Sequence, residues 1–272
     1  MIDLHTHTDY SDGTDSPAAL VRSAYQAGLR IIAVTDHDIT DALPEARAAA
    51  GDLRGLEVIP GIELSCEMDR YEVHVLGYFL DLANDPLQRR LAELRAARVT
   101  RADRILDKLD AIGIRLDRDR VRVIAGTGSF GRPHIARALV EVGWAASVSD
   151  AFQLYLSHGR PAYVERPKLT VPEAIDLIRA AGGSASIAHP LGLPDLPALI
   201  AMAKRAGLAG LECHYGRYSG KEVDQLVALA EAHDLVPTGG SDYHGSNKEG
   251  VNLGDADVPI GSLTRLRDRA AA

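Results

Sequence analysis

The chain has 272 residues, 46% hydrophobic and 25% charged, with a net charge of −8, enough to bury one large core and ordinary for a globular protein rather than a disordered one. The negative balance argues against broad, sequence-independent nucleic-acid binding, and no apolar run approaches the ~18 residues a membrane-spanning helix needs, so no membrane partner is expected. Only Cys66 and Cys213 are present, too few for a disulfide framework or a thiolate zinc site, and the start at Ile2, Asp3 and Leu4 lacks a secretory pattern; both predict a cytoplasmic protein.

The first element, "IDLHTH", is a short strand. Side chains alternate along a strand, so His5 and His7 point to the same side. Two readings stand level at this point: a pair that grips one ion, or a solvated strand end or buried, hydrogen-bonded imidazoles. Ser16 is a natural N-cap with Pro17 at the first helical position, and the helix runs to Gly28. "RIIAVTD" is the second strand, ending in Asp36 and His37. A short Ala-rich helix after Pro44 leads to "EVIPGIELSCEM" and "YEVHVLGYFLD", neighbouring β segments able to pair, which carry Glu63 and His74.

From about Asn84 to Arg160 the strands vanish and helical periodicity takes over, in "PLQRRLAELRAARVTRADRILDKLDAIG", "RPHIARALVEVG" and "VSDAFQLYLSHG". This predicts a helical insertion over 84–160 between barrel segments 1–83 and 161–272. Its stretch from Pro86 to Arg122 holds eleven Lys or Arg against six Asp or Glu; a solvated helical face explains most of them, and a few would steer an anionic substrate. Alternation then resumes with "TVPEAIDLIRAAGG", where Thr170 and Glu173 have capping-box spacing. The strand "ASIAH", a helix from about Asp195 to Gly207, the strand "GLECHY", the helix "KEVDQLVALAEAHD", the strand "LVPTGGSD" and a C-terminal helix follow. Repeated βα units predict an α/β fold with a parallel sheet, in a number compatible with closure into a barrel.

Metal-competent side chains map to strand ends: His5 and His7; Asp36 and His37; Glu63 and His74 in the β pair; His189 after "ASIA"; Asp242 and His244 in "SDYH". One such residue is unremarkable, but in a barrel these ends converge, and carboxylates brought together without counter-ions repel and lose hydration. Divalent cations resolve the conflict. Imidazole mixed with carboxylate suits Mn²⁺, Zn²⁺ or Fe²⁺, Glu63 can give one oxygen to each of two ions, and two or three ions would activate water and clamp a phosphoryl group.

"DLHTHTDYSDG", "VTDHD", "GIELS", "VHVLG", "IAHP" and "SDYHG", in that order, resemble the motifs of the polymerase-and-histidinol-phosphatase (PHP) family of metal-dependent phosphoesterases. "GRPHIARALV", "GRPAYV" and Asp12 resemble the branch with nucleoside 3′,5′-bisphosphate phosphatases and a related RNA 5′-end exonuclease. The resemblance implies a distorted (β/α)7 barrel and a trinuclear centre: His5, His7, Glu63 and Asp242 on the first ion, Glu63, His74 and His189 on the second, Asp12, His37 and His244 on the third. Asp36 and Asp38 would orient imidazoles.

Arg132 and His134 are the first choices for substrate contact, because Pro133 can start a helix whose N-terminus adds phosphate donors. Arg160, Lys168 and Arg166 are weaker ones. His214 either lines the substrate pocket or is structural, while His158 and His233 read as surface residues. "GTGSFG" lacks the Lys and setting of a P-loop and reads as a loop over the site. The expected reaction is hydrolysis of the 3′-phosphate of a nucleoside 3′,5′-bisphosphate, with Asp242, Arg132 and His134 catalytic and either His134 or a water supplying the leaving group's proton. Exonuclease action on short RNA or DNA, histidinol phosphatase activity and a non-catalytic metal-stabilised binding module are the alternatives.

Overall fold

Strands β1 (Ile2–Thr6), β2 (Ile31–Val34) and β3 (Glu57–Met68) pair side by side and parallel, with Ile2 opposite Ile31 and Ile31 opposite Glu57. β1 and β2 are buried throughout, as expected of parallel strands covered on both faces. Helices α1 (Pro17–Gln26) and α2 (Leu43–Gly51) make the crossovers, and Leu20, Val21 and Ala24 of α1 share a core with Ile32, Val34, Leu43 and Ala46. Ser16 caps α1 as the sequence indicates, its Oγ accepting the Ala19 N–H at 3.3 Å. The computed structural model describes residues 1–68, 71–126, 130–165 and 168–270.

β4 (Tyr71–Tyr78) breaks the parallel repeat. It runs antiparallel to β3, with Ser65 opposite His74. Two residues separate the strands, whereas a parallel crossover needs about a dozen, so the chain can only turn back.

Helices α3 (Asp85–Ala111), α4 (Arg118–Ala125), α5 (Arg132–Glu141) and α6 (Val148–Ala151) follow, and α6 runs on into a π-helical turn over Phe152–Leu156. The sequence did not mark out α4, which buries only Val121 and Ala125. Leu87, Leu91 and Leu94 of α3 join the barrel core with Leu64, Val73 and Ile175, whereas Ile105 and Leu109 pack with Val121, Ile135, Leu139 and Leu156 in a separate core. One helix thus belongs to both cores.

The two-residue β5 (Leu169–Thr170) pairs with β3. α7 (Val171–Ala180) opens with the expected capping box, Glu173 Oε2 accepting the Thr170 N–H at 2.7 Å. β6 (Ser184–Ile187), α8 (Leu196–Arg205), β7 (Gly210–Tyr215), α9 (Gly220–Ala232), β8 (Val236–Gly240) and α10 (Ile260–Ala270) complete the chain. The strand order β1-β2-β3-β4-β6-β7-β8 describes a nearly closed seven-strand barrel. Beyond β8, the Asp242 N–H donates to the His5 carbonyl at 2.8 Å and the His7 N–H to that of Tyr243 at 2.9 Å. Gly240 permits this approach, since a Cβ there would stand 2.4 Å from the His5 nitrogen. Among the described residues no helix is long and apolar enough to cross a membrane.

Candidate metal centre

All nine side chains that the resemblance nominated meet at one end of the barrel. His5 lies in β1 and His7 just past it. The following turn curls back so that Asp12 Oδ1 lies 3.7 Å from His7 Nδ1, and Gly13 is needed there because a Cβ would fall 2.6 Å from the His7 carbonyl oxygen. Glu63 and His74 sit inside long strands, yet they face the ends of their neighbours because β3 continues past β2, with Glu63 bridged to His37. His189 and Asp242 follow β6 and β8 with φ of 29° and 56°, left-handed backbone that non-glycine residues adopt at a cost and that gathers at functional sites.

The donor atoms have the spacing of ligands around an ion. His5 Nε2 stands 3.1 Å from His7 Nε2, 3.4 Å from Glu63 Oε2 and 3.5 Å from Asp242 Oδ1. His7 Nε2 stands 3.2 and 3.5 Å from the same two oxygens. Ligands ~2.0–2.1 Å from a tetrahedral ion lie ~3.3 Å apart. Glu63 turns its other oxygen, Oε1, to His74 Nδ1 at 2.8 Å and His189 Nε2 at 3.2 Å. Asp12 Oδ1 lies 3.2 Å from His244 Nε2, and Asp12 Oδ2 3.6 Å from His37 Nε2. His37 also places Nδ1 3.1 Å from Glu63 Oε2, so it stands between groups rather than within one. Three buried atoms of this set, Asp12 Oδ1, His37 Nδ1 and His74 Nδ1, stand close to these neighbours without the alignment of a hydrogen bond. Buried polar atoms are rarely left so; divalent ions fit this donor set and would satisfy them.

The ring orientations are fixed from outside. Glu212 Oε1 is 2.9 Å from His5 Nδ1; with the proton on Nδ1, Nε2 is left as the donor atom facing the cluster. His244 Nδ1 is fixed by the Asp242 carbonyl at 2.9 Å, and His74 Nε2 faces Glu72 Oε1 at 3.4 Å. Asp36 reaches an imidazole through Ser11, whose Oγ lies 3.4 Å from His7 Nδ1, while Asp38 serves the β3 backbone and Arg98. Asp36 Oδ1 accepts the Thr8 N–H at 2.7 Å and the Ser11 hydroxyl at 2.6 Å, which pins the turn carrying Asp12. Asp38 accepts from the Ser65 N–H at 3.0 Å and from Arg98 Nε at 2.8 Å.

Without ions, the imidazoles and carboxylates hold one another's charge. Burial alone would raise the carboxyls of Glu63, Asp12 and Asp242, but neighbouring imidazoles hold all three below the usual carboxylate range. Burial likewise works against a charged His5, yet Glu212, Asp242 and Glu63 raise it well above its ordinary value. For His37 burial wins and pushes the imidazole down to about 4.

A cavity of about 280 Å³ opens on the cluster, with Pro133, Val148 and Phe152 on its helical side and Arg137, Asn247 and Lys248 among its polar wall. A second lobe of about 200 Å³ adjoins it, sharing Asp12, His37, His74, Pro133 and Phe152, and is lined by Glu72, Arg98, Arg101 and Arg132. Arg132 and Lys168 both donate to Glu72 Oε2, at 2.9 and 3.0 Å, which holds them beside His74. His134 is 3% exposed, and its Nδ1 accepts the Gly131 N–H at 3.1 Å, so the ring and that helix-start donor are engaged with each other. His214 lines a different cavity with Tyr218, Asp255 and Asp257, because β7 shifts register between Glu212 and His214. Arg160 is exposed, in the turn after the π-helical segment. Arg166 and the middle of "GTGSFG" lie outside the described residues.

The sequence reading missed Glu212 and Lys248. Lys248 donates to Asp242 Oδ2 and, at 2.9 Å, to the Tyr215 hydroxyl. It falls four residues beyond His244 in a run that resembled no motif, and only its cavity position marks it out.

The family model for the PHP domain matches residues 3–112. The 5′-3′ exoribonuclease Rnm of Escherichia coli is 37% identical over 250 residues, covering 90% of this chain and 85% of that protein. The chain belongs to the PHP family of metal-dependent phosphoesterases. A 3′,5′-nucleoside bisphosphate phosphatase of Chromobacterium violaceum is 34% identical over 264 residues, 95% of this chain and 92% of the relative. Among solved structures, a metal-dependent phosphoesterase from Bifidobacterium adolescentis matches with a TM-score of 0.90 at 32% identity, covering 98% of this chain and 96% of that one. In this PHP hydrolase His7, Asp12, His37 and His244, then His5, His7 and Glu63, and then His37, Glu63 and His74 form three groups spaced to hold metal ions.

Proposed function

We propose that this chain removes the 3′-phosphate of nucleoside 3′,5′-bisphosphates, such as 3′-phosphoadenosine 5′-phosphate, giving the nucleoside 5′-monophosphate and phosphate. The observation that carries the reading is the joining of a cation-lined lobe to the cavity over the nine-residue cluster: one end meets the scissile phosphate and the other can meet a second anionic group. Two or three divalent ions, of Mn²⁺, Zn²⁺ or Fe²⁺, would be held by His5, His7, Asp12, His37, Glu63, His74, His189, Asp242 and His244. When bound, such ions activate water and take up charge on phosphoryl oxygens.

The chain's own residues supply the rest. Arg132 and Lys168 receive the second phosphate, exchanging the Glu72 carboxylate for it. Lys248 and Arg137 face the reacting group and offset its charge. Asp242 keeps Oδ2 on Lys248 and Tyr215 and so presents Oδ1 to the cluster. His134 supports the start of α5, which leaves the alkoxide's proton to a water in the cavity. The insertion over 84–160 contributes the far wall of the substrate pocket.

Exonuclease action on short oligonucleotides is the second reading, favoured by the likeness to the Escherichia coli exoribonuclease and permitted by the positive stretch around Arg89 to Arg104. Phosphate release by Mn²⁺-loaded protein, compared across 3′-phosphoadenosine 5′-phosphate, 5′-phosphorylated oligoribonucleotides and histidinol phosphate, tests both. The bisphosphate is expected to give the highest kcat/KM. Preference for the oligonucleotide would replace the first reading by the second, and no turnover of any ester would end both.

A further inference from the structure

We infer that Phe152 forms a nucleobase subsite, so that this enzyme reads the base as well as the phosphates of its substrate. This rests on the nucleotide reading above and adds a specificity-determining residue to it.

The chain has only three phenylalanines, and one of them stands at the metal cluster. Phe152 is half-buried and lines both lobes of the cavity, as Pro133 beside it does, whereas Arg132 lines only the second. The Arg132 guanidinium lies over the ring, 5.4 Å from its centroid, a cation–π contact that fixes the ring's attitude. Pro133 and Val148 continue the apolar wall, opposite a cluster that is otherwise imidazole and carboxylate. A metal and phosphate site needs no apolar wall, but a purine or pyrimidine does, since its faces are poorly hydrated and stack on aromatic rings.

The backbone supports the same reading. Phe152 begins the π-helical turn, its carbonyl accepting from the Ser157 N–H at 2.9 Å. Single π turns are uncommon and are frequent at functional sites. Here the residue at the switch from α to π lines the cavity.

Two variants and two pairs of ligands test it. Binding of adenosine 5′-monophosphate and of ribose 5-phosphate to the Mn²⁺-loaded protein, measured by calorimetry, isolates the base without requiring turnover. The native protein is expected to bind the nucleotide at least about 10-fold more tightly. Phe152→Leu, which keeps an apolar side chain but loses the π face, should weaken the nucleotide by about 5- to 100-fold and leave ribose 5-phosphate within about 2-fold. Phe152→Trp should restore the preference. Equal weakening of both ligands by Phe152→Leu would assign the ring a structural role, and no preference for the base in the native protein, or no binding of the nucleotide, would overturn the subsite outright. Hydrolysis of 3′-phosphoadenosine 5′-phosphate and of the abasic sugar 3,5-bisphosphate separates the two proposals. Equal rates on both would sink the base subsite alone, while base-dependent binding without hydrolysis would sink the proposed reaction alone.

Discussion

Glu63 is the residue on which the site turns, with one oxygen toward His5, His7 and His37 and the other toward His74 and His189. Glu63→Gln replaces one of those oxygens by an amide nitrogen that cannot ligate, so metal content by mass spectrometry and phosphate release should fall together, the latter by about 100-fold or more. Retention of full activity would mean that the bridge is elsewhere. Glu212→Gln acts more gently, since it weakens the bond that fixes the His5 ring; metal affinity should fall about 10-fold, read by chelator competition. His5, His7, His37, His189, Asp242 and His244 were legible as metal-competent residues at or just past strand ends, and Glu63 and His74 as such residues in the β pair, whereas Asp12 came only with the family resemblance. Glu212 was not legible, because "GLECHY" reads as an ordinary buried strand and its partner, His5, is 207 positions away in sequence. That Asp36 reaches His7 only through Ser11, and that Asp38 turns to Ser65 and Arg98, went unread for a related reason: spacing shows that a carboxylate is near an imidazole but not which hydrogen-bond donors reach it first, and here those are Thr8, Ser11, Ser65 and Arg98.

The elements themselves were legible wherever local chemistry decides them. Ser16 before Pro17 and the Thr170/Glu173 box mark helix starts by hydrogen bonds within three residues, and the structure keeps both. The direction of β4 came from connection length rather than hydrophobic pattern, which is the same for either direction. α4 went unmarked because a helix that buries two residues carries little periodicity, and the π turn because one inserted residue leaves no trace in composition. Barrel closure hangs on a glycine. Gly240→Val should force β8 away from β1, costing about 1–3 kcal/mol or more in denaturant unfolding and lowering metal affinity with it, since Asp242 and His5 hang on the two strands; unchanged stability would show that the seam between them is loose.

Over the whole molecule, a net charge of −8 coexists with a basic stretch that is mostly neutralised in place: Arg90, Arg95, Arg118, Arg120 and Arg122 are ion-paired on the surface, and Arg98 turns inward to Asp38. The reading of that stretch as a solvated face therefore holds for most of it. The cluster also sets how stability responds to pH. Burial opposes a charged His74 and His244, but Glu63 and Glu72 raise the first to about 10, and Asp12 and Asp242 the second to about 9. Their contribution to the metal-free protein is complete below about 6.5, where the unfolded chain is protonated too, and is lost as pH climbs through 9 to 10. His37, pushed down to about 4 by burial, favours the unfolded chain as pH falls from 6.5 toward 4. For these groups the Tm of chelated protein should be highest near pH 6.5 and fall on both sides. Added Mn²⁺ should reverse the alkaline decline, because the ions displace imidazole protons and bind more tightly as pH rises. A Tm that kept rising to pH 9 without metal would contradict the charge pairing described.

The convergence of distant residues on a few ions is tested most directly by anomalous diffraction from crystals grown in Mn²⁺, with data collected on both sides of the manganese absorption edge. Two or three peaks enclosed by Glu63, Asp12, Asp242 and the six histidines are predicted. A cavity without a peak, or ions bound only by other residues, would contradict it.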